Sequence, residues 1–181
     1  MTLELVAPDP ALGAAFLDAH AEWGPGLHED GFGLLPTDDV ATSQGFAAWI
    51  GRLAEQADPG APRPPGRVRC TPRWVVEEGR VLGGIALRHE LTEVDEDRGH
   101  IGYGVRPSAR RRGVATWALT AMLGEARTLG LGRVLLVCAE DNVASARTIE
   151  RCGGVLGDIR RTGAGPVRRY WIMLDPAPGA T

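Results

Sequence analysis

The spacing of apolar positions changes several times along this chain, and each change marks an element. Leu3-Glu4-Leu5-Val6 alternates apolar and polar, the period of a first strand. Residues 10–23 predict a helix: Pro10 suits a first turn, and Leu12, Ala15, Phe16 and Ala19 share one face. A Gly/Pro-rich loop, 24–36, follows. Thr37 or Asp38 is the expected cap of a second helix carrying Val40, Phe46, Trp49, Ile50, Leu53 and Ala57 at roughly helical spacing. Residues 58–66, with Pro59, Pro62, Pro64 and Pro65, read as an exposed connector. Trp74-Val75-Val76 and residues 81–87 predict a hairpin turning near Glu78-Gly79, and 100–105 a fourth strand. Residues 113–129 form a helix stopped by Gly130. Val134-Leu135-Leu136-Val137-Cys138 is apolar throughout, as in a strand covered on both faces. Asn142 caps a helix ended by Gly153-Gly154, and 167–174 is the last strand.

The sum is an α+β chain: two early helices, several antiparallel strands, then strand–helix–strand–helix–strand. A length of 181 residues fits one domain. The piece before residue 67, two helices and a short strand, would be marginal alone. The expected division is therefore internal: a helical region with its Pro-rich connector over 1–66, and a sheet core over 67–181.

Composition narrows the class. Hydrophobic residues make up 44%, which argues against disorder. No apolar run approaches the ~20 residues of a membrane span, and Met1-Thr2-Leu3-Glu4 lacks the order of a signal peptide, so the expected compartment is the cytoplasm. Cys70, Cys138 and Cys152 are three and widely spaced, which predicts neither a disulfide framework nor a metal site. A net charge of −3 gives no pull toward nucleic acid. All 20 basic residues are arginine, most simply a mark of a GC-rich genome.

The richest stretch is Val105-Arg106-Pro107-Ser108-Ala109-Arg110-Arg111-Arg112-Gly113-Val114-Ala115-Thr116. It reads as a strand end, a basic turn and the start of a helix. The first N–H groups of that helix lack intrahelical partners, and the helix dipole adds positive charge there. Gly113 and Ala115 keep the approach clear, so the turn can cradle a phosphate or pyrophosphate. Arg110, Arg111 and Arg112 surround it with charge.

Arg110, Gly113 and Ala115 also resemble the acyl-CoA signature Q/R-x-x-G-x-G/A of the GNAT (GCN5-related) N-acetyltransferases. Asn142, Ser145, Ile149, Gly153 and Gly154 fall on the offsets of the family's N-x-x-A/S-x-x-x-Y-x-x-x-G-F. His100-Ile101-Gly102-Tyr103-Gly104-Val105-Arg106-Pro107 matches its E-I-G-Y-x-V-x-P except at the first position. The phrases over 83–91, 99–108 and 141–154 are similar to those of a bacterial subgroup of predicted acetyltransferases. The resemblance implies a GNAT-like mixed, mostly antiparallel sheet with flanking helices. It implies acetyl-CoA as co-substrate, no metal, and a small-molecule or peptide amine as acceptor attacking directly in a ternary complex. A homodimer is compatible with it; nucleic acid and membrane partners are not expected. Pyrophosphate binding falls to the N–H groups of residues 111–116, and oxyanion stabilisation to a backbone N–H near Val105. Asn142 and Ser145 are expected both to cap their helix and to lie near the pantetheine.

The catalytic protons are where this chain departs from the pattern. His100 stands where many relatives carry a glutamate base; an imidazole suits that task, and a structural histidine at a strand start fits equally. His89 and Glu90 are the other candidate bases. Ile149 occupies the offset of the family's tyrosine acid and cannot donate a proton; either the thiolate leaves unaided or another group, such as Tyr103, substitutes. Acidic residues Glu29, Asp30, Glu93, Asp95, Glu96 and Asp97 would attract a cationic amine if they walled the pocket. The alternative to catalysis is a non-catalytic acyl-CoA-binding regulatory module. A nucleotide-binding protein is disfavoured, since G-x-x-x-x-G-K-[ST] is absent.

Overall fold

A computed structural model describes residues 2–24, 31–63, 66–92 and 95–174. Its sheet has seven strands in the order β1-β2-β3-β4-β5-β7-β6. They are β1 (Glu4–Val6), β2 (Cys70–Glu77), β3 (Arg80–Arg88), β4 (Ile101–Val105), β5 (Arg133–Ala139), β6 (Val155–Thr162) and β7 (Gly165–Met173). Neighbours run antiparallel except β4 and β5, which are parallel. Helices α1 (Gly13–Trp23), α2 (Ser43–Ala57), α3 (Val114–Thr128) and α4 (Val143–Arg151) complete the α+β architecture. The β2–β3 hairpin turns at Glu78 (φ 50°) and Gly79 (φ 75°), the paired positive φ values of a tight hairpin turn.

Strand alternation sorts the core into two faces. On one face Ile85, Leu87, Ile101 and Leu136 pack with Leu119, Met122 and Ile149 of α3 and α4. On the other, Trp74, Val76 and Val81 meet Phe16, Phe46, Trp49 and Leu53 of α1 and α2. The rings of Phe16 and Trp49 lie 4.6 Å apart, and those of Phe16 and Trp74 5.4 Å. Each such buried side chain contributes roughly 1.5–3 kcal/mol.

In the β3–β4 pair this sorting is extreme. Ile85 faces Tyr103 and Leu87 faces Ile101, whereas Gly84 faces Gly104 and Ala86 faces Gly102. Bulk thus lies on the α3/α4 side and almost none on the α1/α2 side. The chain itself fills part of that bare face. A Cβ at Gly31 would sit 2.4 Å from the Gly84 carbonyl oxygen, and one at Gly84 would sit 2.8 Å from the Phe32 ring. The same Cβ at Gly31 would lie 2.9 Å from the Gly102 carbonyl oxygen, so residue 31 packs backbone to backbone on both strands.

Two elements differ from the sequence expectation. α2 begins at Ser43, capped by Thr42, whose hydroxyl accepts from the Gly45 N–H at 3.1 Å. Asp38 instead closes a turn by accepting from the Leu35 N–H at 2.7 Å, an equally good use of a capping side chain. β6 had no counterpart in the apolar pattern: it is an edge strand with Val155 70%, Leu156 47% and Ile159 51% exposed, so it has no buried face to read. No described helix is long and apolar enough to cross a membrane.

Candidate active site

The site is built on a break in the sheet. The Arg88 N–H bonds the His100 carbonyl (2.7 Å) and the Arg106 N–H bonds the Leu82 carbonyl (2.8 Å). Even-numbered residues of β4 therefore direct their backbone groups to β3. Tyr103 and Val105 direct theirs toward β5, yet β4 and β5 pair only at Ile101 and Leu136. On β5 the Leu135 N–H points to His100, and the Glu140 N–H beyond it bonds Pro166 by β7. By the same alternation Val137 and Ala139 face β4. Beyond Ile101 the two strands splay, leaving facing backbone donors and acceptors without their sheet partners. Backbone groups in such a state are left to bond water or a ligand, and an extended amide-bearing chain such as pantetheine fits that gap.

At the open end lies the cradle. After β4 a short turn, Pro107–Ala109, leads to Arg111 at φ 60° and Gly113 at φ 80°, and α3 starts at Val114. The N–H groups of residues 111–116 have no acceptor among the described residues; the first bond belongs to Trp117, which donates to the Gly113 carbonyl at 2.9 Å. Together with the start of a four-turn helix they form an anion nest. The arginines divide their work. Arg110 Nε donates to the Val105 carbonyl at 2.9 Å, Arg112 pairs with Glu77 of β2 at 2.8 Å, and Arg111 is exposed. Two of the three therefore brace the loop. The Val114 side chain is buried in the α3 core, so only its N–H faces the nest.

A cleft of about 1170 Å³ runs through the splay to the opposite face. Its α4 side carries Tyr103, Cys138, Asn142, Ser145 and Ile149. Its other side carries Gly31, Leu34, Arg52, Arg67, Ala86, Arg88, Asp97 and Arg98. Asn142 caps α4, its Oδ1 accepting from the Ser145 N–H at 3.0 Å, and both residues line the cleft. Glu29, Asp30 and Glu93 lie outside the described residues. Glu96 and Asp97 pair with Arg160 of β6 at 3.2 and 3.5 Å.

The Tyr103 hydroxyl donates to the Ser145 carbonyl at 3.3 Å, and burial pushes its pKa up to about 12, so it keeps its proton. Ile149 is 1% exposed, packed in the core beside the cleft. His100 lies elsewhere, in a separate hollow of about 680 Å³ with Trp171, Arg133 and Met173. Its N–H bonds the Leu135 carbonyl (2.7 Å), and its Nδ1 accepts the Leu135 N–H (2.9 Å). Burial first, then Arg88 and Arg133, bring its pKa down to about 4. His89 Nε2 is bonded to Thr71 Oγ1 at 2.7 Å, and Glu90 pairs with Arg63; neither lines the cleft. Among the described residues no cluster of His, Cys, Asp or Glu is placed to hold a metal ion.

Residues that sequence reasoning passed over include Arg106, which is 1% exposed, and its partners Asp18 and Glu22 on α1. The available signal was a charged residue directly behind an apolar strand, inside a phrase already singled out.

A family model described as an acetyltransferase (GNAT) domain matches residues 36–155. No curated protein with detectable sequence similarity is found. Among solved structures, the chain is similar to RimL, a ribosomal L7/L12 alpha-N-protein acetyltransferase in complex with coenzyme A (TM-score 0.74, 18% identity, 98% of this chain and 97% of that one). It is similar to yncA, a putative acetyltransferase from Salmonella typhimurium with acetyl-CoA (TM-score 0.65, 17% identity, 100% of both chains). A ribosomal-protein-S5-alanine acetyltransferase from Vibrio fischeri aligns with a TM-score of 0.72 at 13% identity, over 97% of this chain and 94% of that one. These likenesses concern the fold; the family match covers most of the chain, including the splay and the cradle. The chain belongs to the GNAT family and is an acyltransferase that moves an acetyl group from acetyl-CoA to an amine.

Proposed function

We propose that the splay between β4 and β5 holds the pantetheine arm, that residues 111–116 hold the pyrophosphate, and that the amine reaches the thioester from the α1/α2 side. The observation carrying this reading is the pair of backbone edges without a strand partner, Tyr103 and Val105 against Val137 and Ala139, ending at the N–H nest; the Val105 and Ala139 carbonyls are taken locally by Arg110 Nε and the Asn142 N–H. Acetyl-CoA supplies an acyl group already activated as a thioester. The chain's part is to align it and to manage charge. The Val105 N–H, directed into the splay, is the oxyanion donor we assign. Asn142 and Ser145 shape the α4 wall of the slot.

Tyr103 is the residue we assign to hydrogen-bond the leaving thiolate, in place of the acid that Ile149 cannot provide; with a pKa of about 12 it steadies the sulfur by donation and keeps its own proton, since the thiol's pKa is ~8.5. Its hydroxyl lies on the cleft wall, stays protonated, and donates to the Ser145 carbonyl at 3.3 Å. The only carboxylate among the described cleft residues is Asp97, shared with Arg160, and no histidine or glutamate is among them. We therefore assign the amine's proton to water and His100 to the framework. The acceptor side is walled by segment 31–36 and α2; structural neighbours that are a ribosomal L7/L12 alpha-N-protein acetyltransferase and a spermidine N-acetyltransferase support our reading of the acceptor as a small-molecule or peptide amine.

Steady-state CoA release with a panel of amines tests the reading. A thiol of pKa ~8.5 leaves without much help, so Tyr103→Phe should lower kcat about tenfold, below the 10²–10⁴ of a general acid working on a poor leaving group. The KM for acetyl-CoA should hold. Full turnover in Tyr103→Phe would remove the assignment, and absence of acetyl-CoA-dependent CoA release with every amine would favour a binding module.

A further inference from the structure

We infer that Glu22 and Arg106 form a clamp that fixes the pyrophosphate cradle to α1, making Glu22 a positioning residue for acetyl-CoA. The inference rests on the reading of residues 111–116 as the cradle. Arg106 follows β4 directly and its side chain is 2% exposed. A buried guanidinium must have its charge and donors matched. Nη1 donates to the Val81 carbonyl (3.2 Å), Nη2 to Asp18 Oδ2 (2.7 Å), and Nε to Glu22 Oε1 (2.9 Å). All but one of these partners lie on α1.

Glu22 has a second task. Its Oε2 accepts the Ser108 N–H at 3.0 Å, and its Oε1 accepts the Ser108 hydroxyl at 2.9 Å. Ser108 lies in the turn Pro107–Ala109 that leads into the cradle. The Arg110 N–H returns to the Pro107 carbonyl (3.3 Å) and its Nε to Val105 (2.9 Å), so residues 105–110 move as one piece. One carboxylate on α1 thus holds both the strand end and the turn that aims the nest. Its pKa, lowered to about 2 chiefly by Arg106, keeps it charged at any working pH. A buried ion pair is a poor source of net stability. What this one supplies is a defined position, at the junction between the donor cradle and the helix that leads toward the acceptor wall.

The test uses acetyl-CoA as probe. Glu22→Gln keeps the shape and removes the charge. The expected result is an acetyl-CoA Kd raised about tenfold, or ~1.4 kcal/mol, with faster hydrogen exchange at amides 111–116 in the complex. KM for acetyl-CoA should rise more than kcat falls. Ser108→Ala spares the Glu22–Arg106 pair and should shift Kd in the same direction by less; it carries the test if Glu22→Gln does not fold. Asp18→Asn touches only the exposed partner and should leave Kd within about twofold. A Glu22→Gln protein that melts earlier yet binds acetyl-CoA and exchanges at 111–116 as wild type does would overturn the clamp. Failure of the wild type to bind acetyl-CoA would instead overturn the cradle beneath it.

Discussion

Lowering the pH should open the sheet at His100, and the size of the effect follows from its bonds. The Leu135 N–H donates to Nδ1, so the ring's single proton is on Nε2. Protonating Nδ1 would break that bond, place a cation in a buried site, and set it near Arg88 and Arg133. The folded pKa is accordingly about 4 against the ordinary 6.5. The unfolded chain binds the proton first, so stability falls as pH drops from 6.5 toward 4 and is independent of this group above that window. With these values the loss is about 2 kcal/mol at pH 5 and roughly 3 kcal/mol once both states are protonated, a large share of an ordinary domain's 5–15 kcal/mol. His100→Asn retains an acceptor for Leu135 and removes the titration. Urea unfolding at pH 7.5 and 5.0 should show an acid loss about 2 kcal/mol smaller in the variant than in wild type. His100→Ala should cost about 1–3 kcal/mol even at pH 7.5, because it orphans the Leu135 N–H. Equal acid losses in wild type and His100→Asn would refute the argument. A stable His100→Asn protein with kcat/KM down a hundredfold and its acid limb gone would make His100 the base after all.

Gly113→Glu should leave the fold intact, since nothing lies within 4 Å of a Cβ there, though a side chain at φ 80° costs about 1–2 kcal/mol. Its carboxylate would sit in the nest, so calorimetry should show acetyl-CoA affinity reduced at least about tenfold, and an unchanged affinity would count against the cradle. Gly84→Ala drives a methyl to 2.8 Å from the fully buried Phe32 ring; overpacking of that kind costs about 1–3 kcal/mol. Segment 31–36 should shift with Phe32, raising the acceptor KM while the acetyl-CoA Kd stays put, and the opposite pattern would misplace the acceptor wall.

The elements that make up the proposed donor half are legible in the sequence because they are local. A strand end, a glycine at the right offset and a helix start are adjacent in sequence, as are Asn142 and the helix it caps. The acceptor half depends on packing between distant segments: residue 31 against Gly84 and Gly102, and Glu22 against Arg106. No period or motif connects those pairs. β6 was missed for a different reason, having no buried face to give a period. At His100 the sequence leaves two roles open, base and structural. Its position matched the base of relatives, but which of its atoms are free depends on Leu135, 35 residues away.

His100 and the glycines of β3 and β4 together explain how one sheet makes room for two substrates. At the closed end of the splay, His100 bonds β5 twice, through its N–H and its ring, and so fixes where β4 and β5 part. Past that point the odd residues of β4 offer backbone to the gap and large side chains to the α3/α4 core. Its even residues, Gly102 and Gly104, bring no side chain to the other face, and Gly84 and Ala86 beside them bring only one methyl. A cofactor-binding module would need the gap and the nest alone. The bare face adds depth on the side away from α4, and the cleft continues into it as far as Arg52 and Arg98. With acetyl-CoA in the proposed slot, space opened on the far side of its acyl group is space for an attacking amine, and a module that only bound the cofactor would have no use for it.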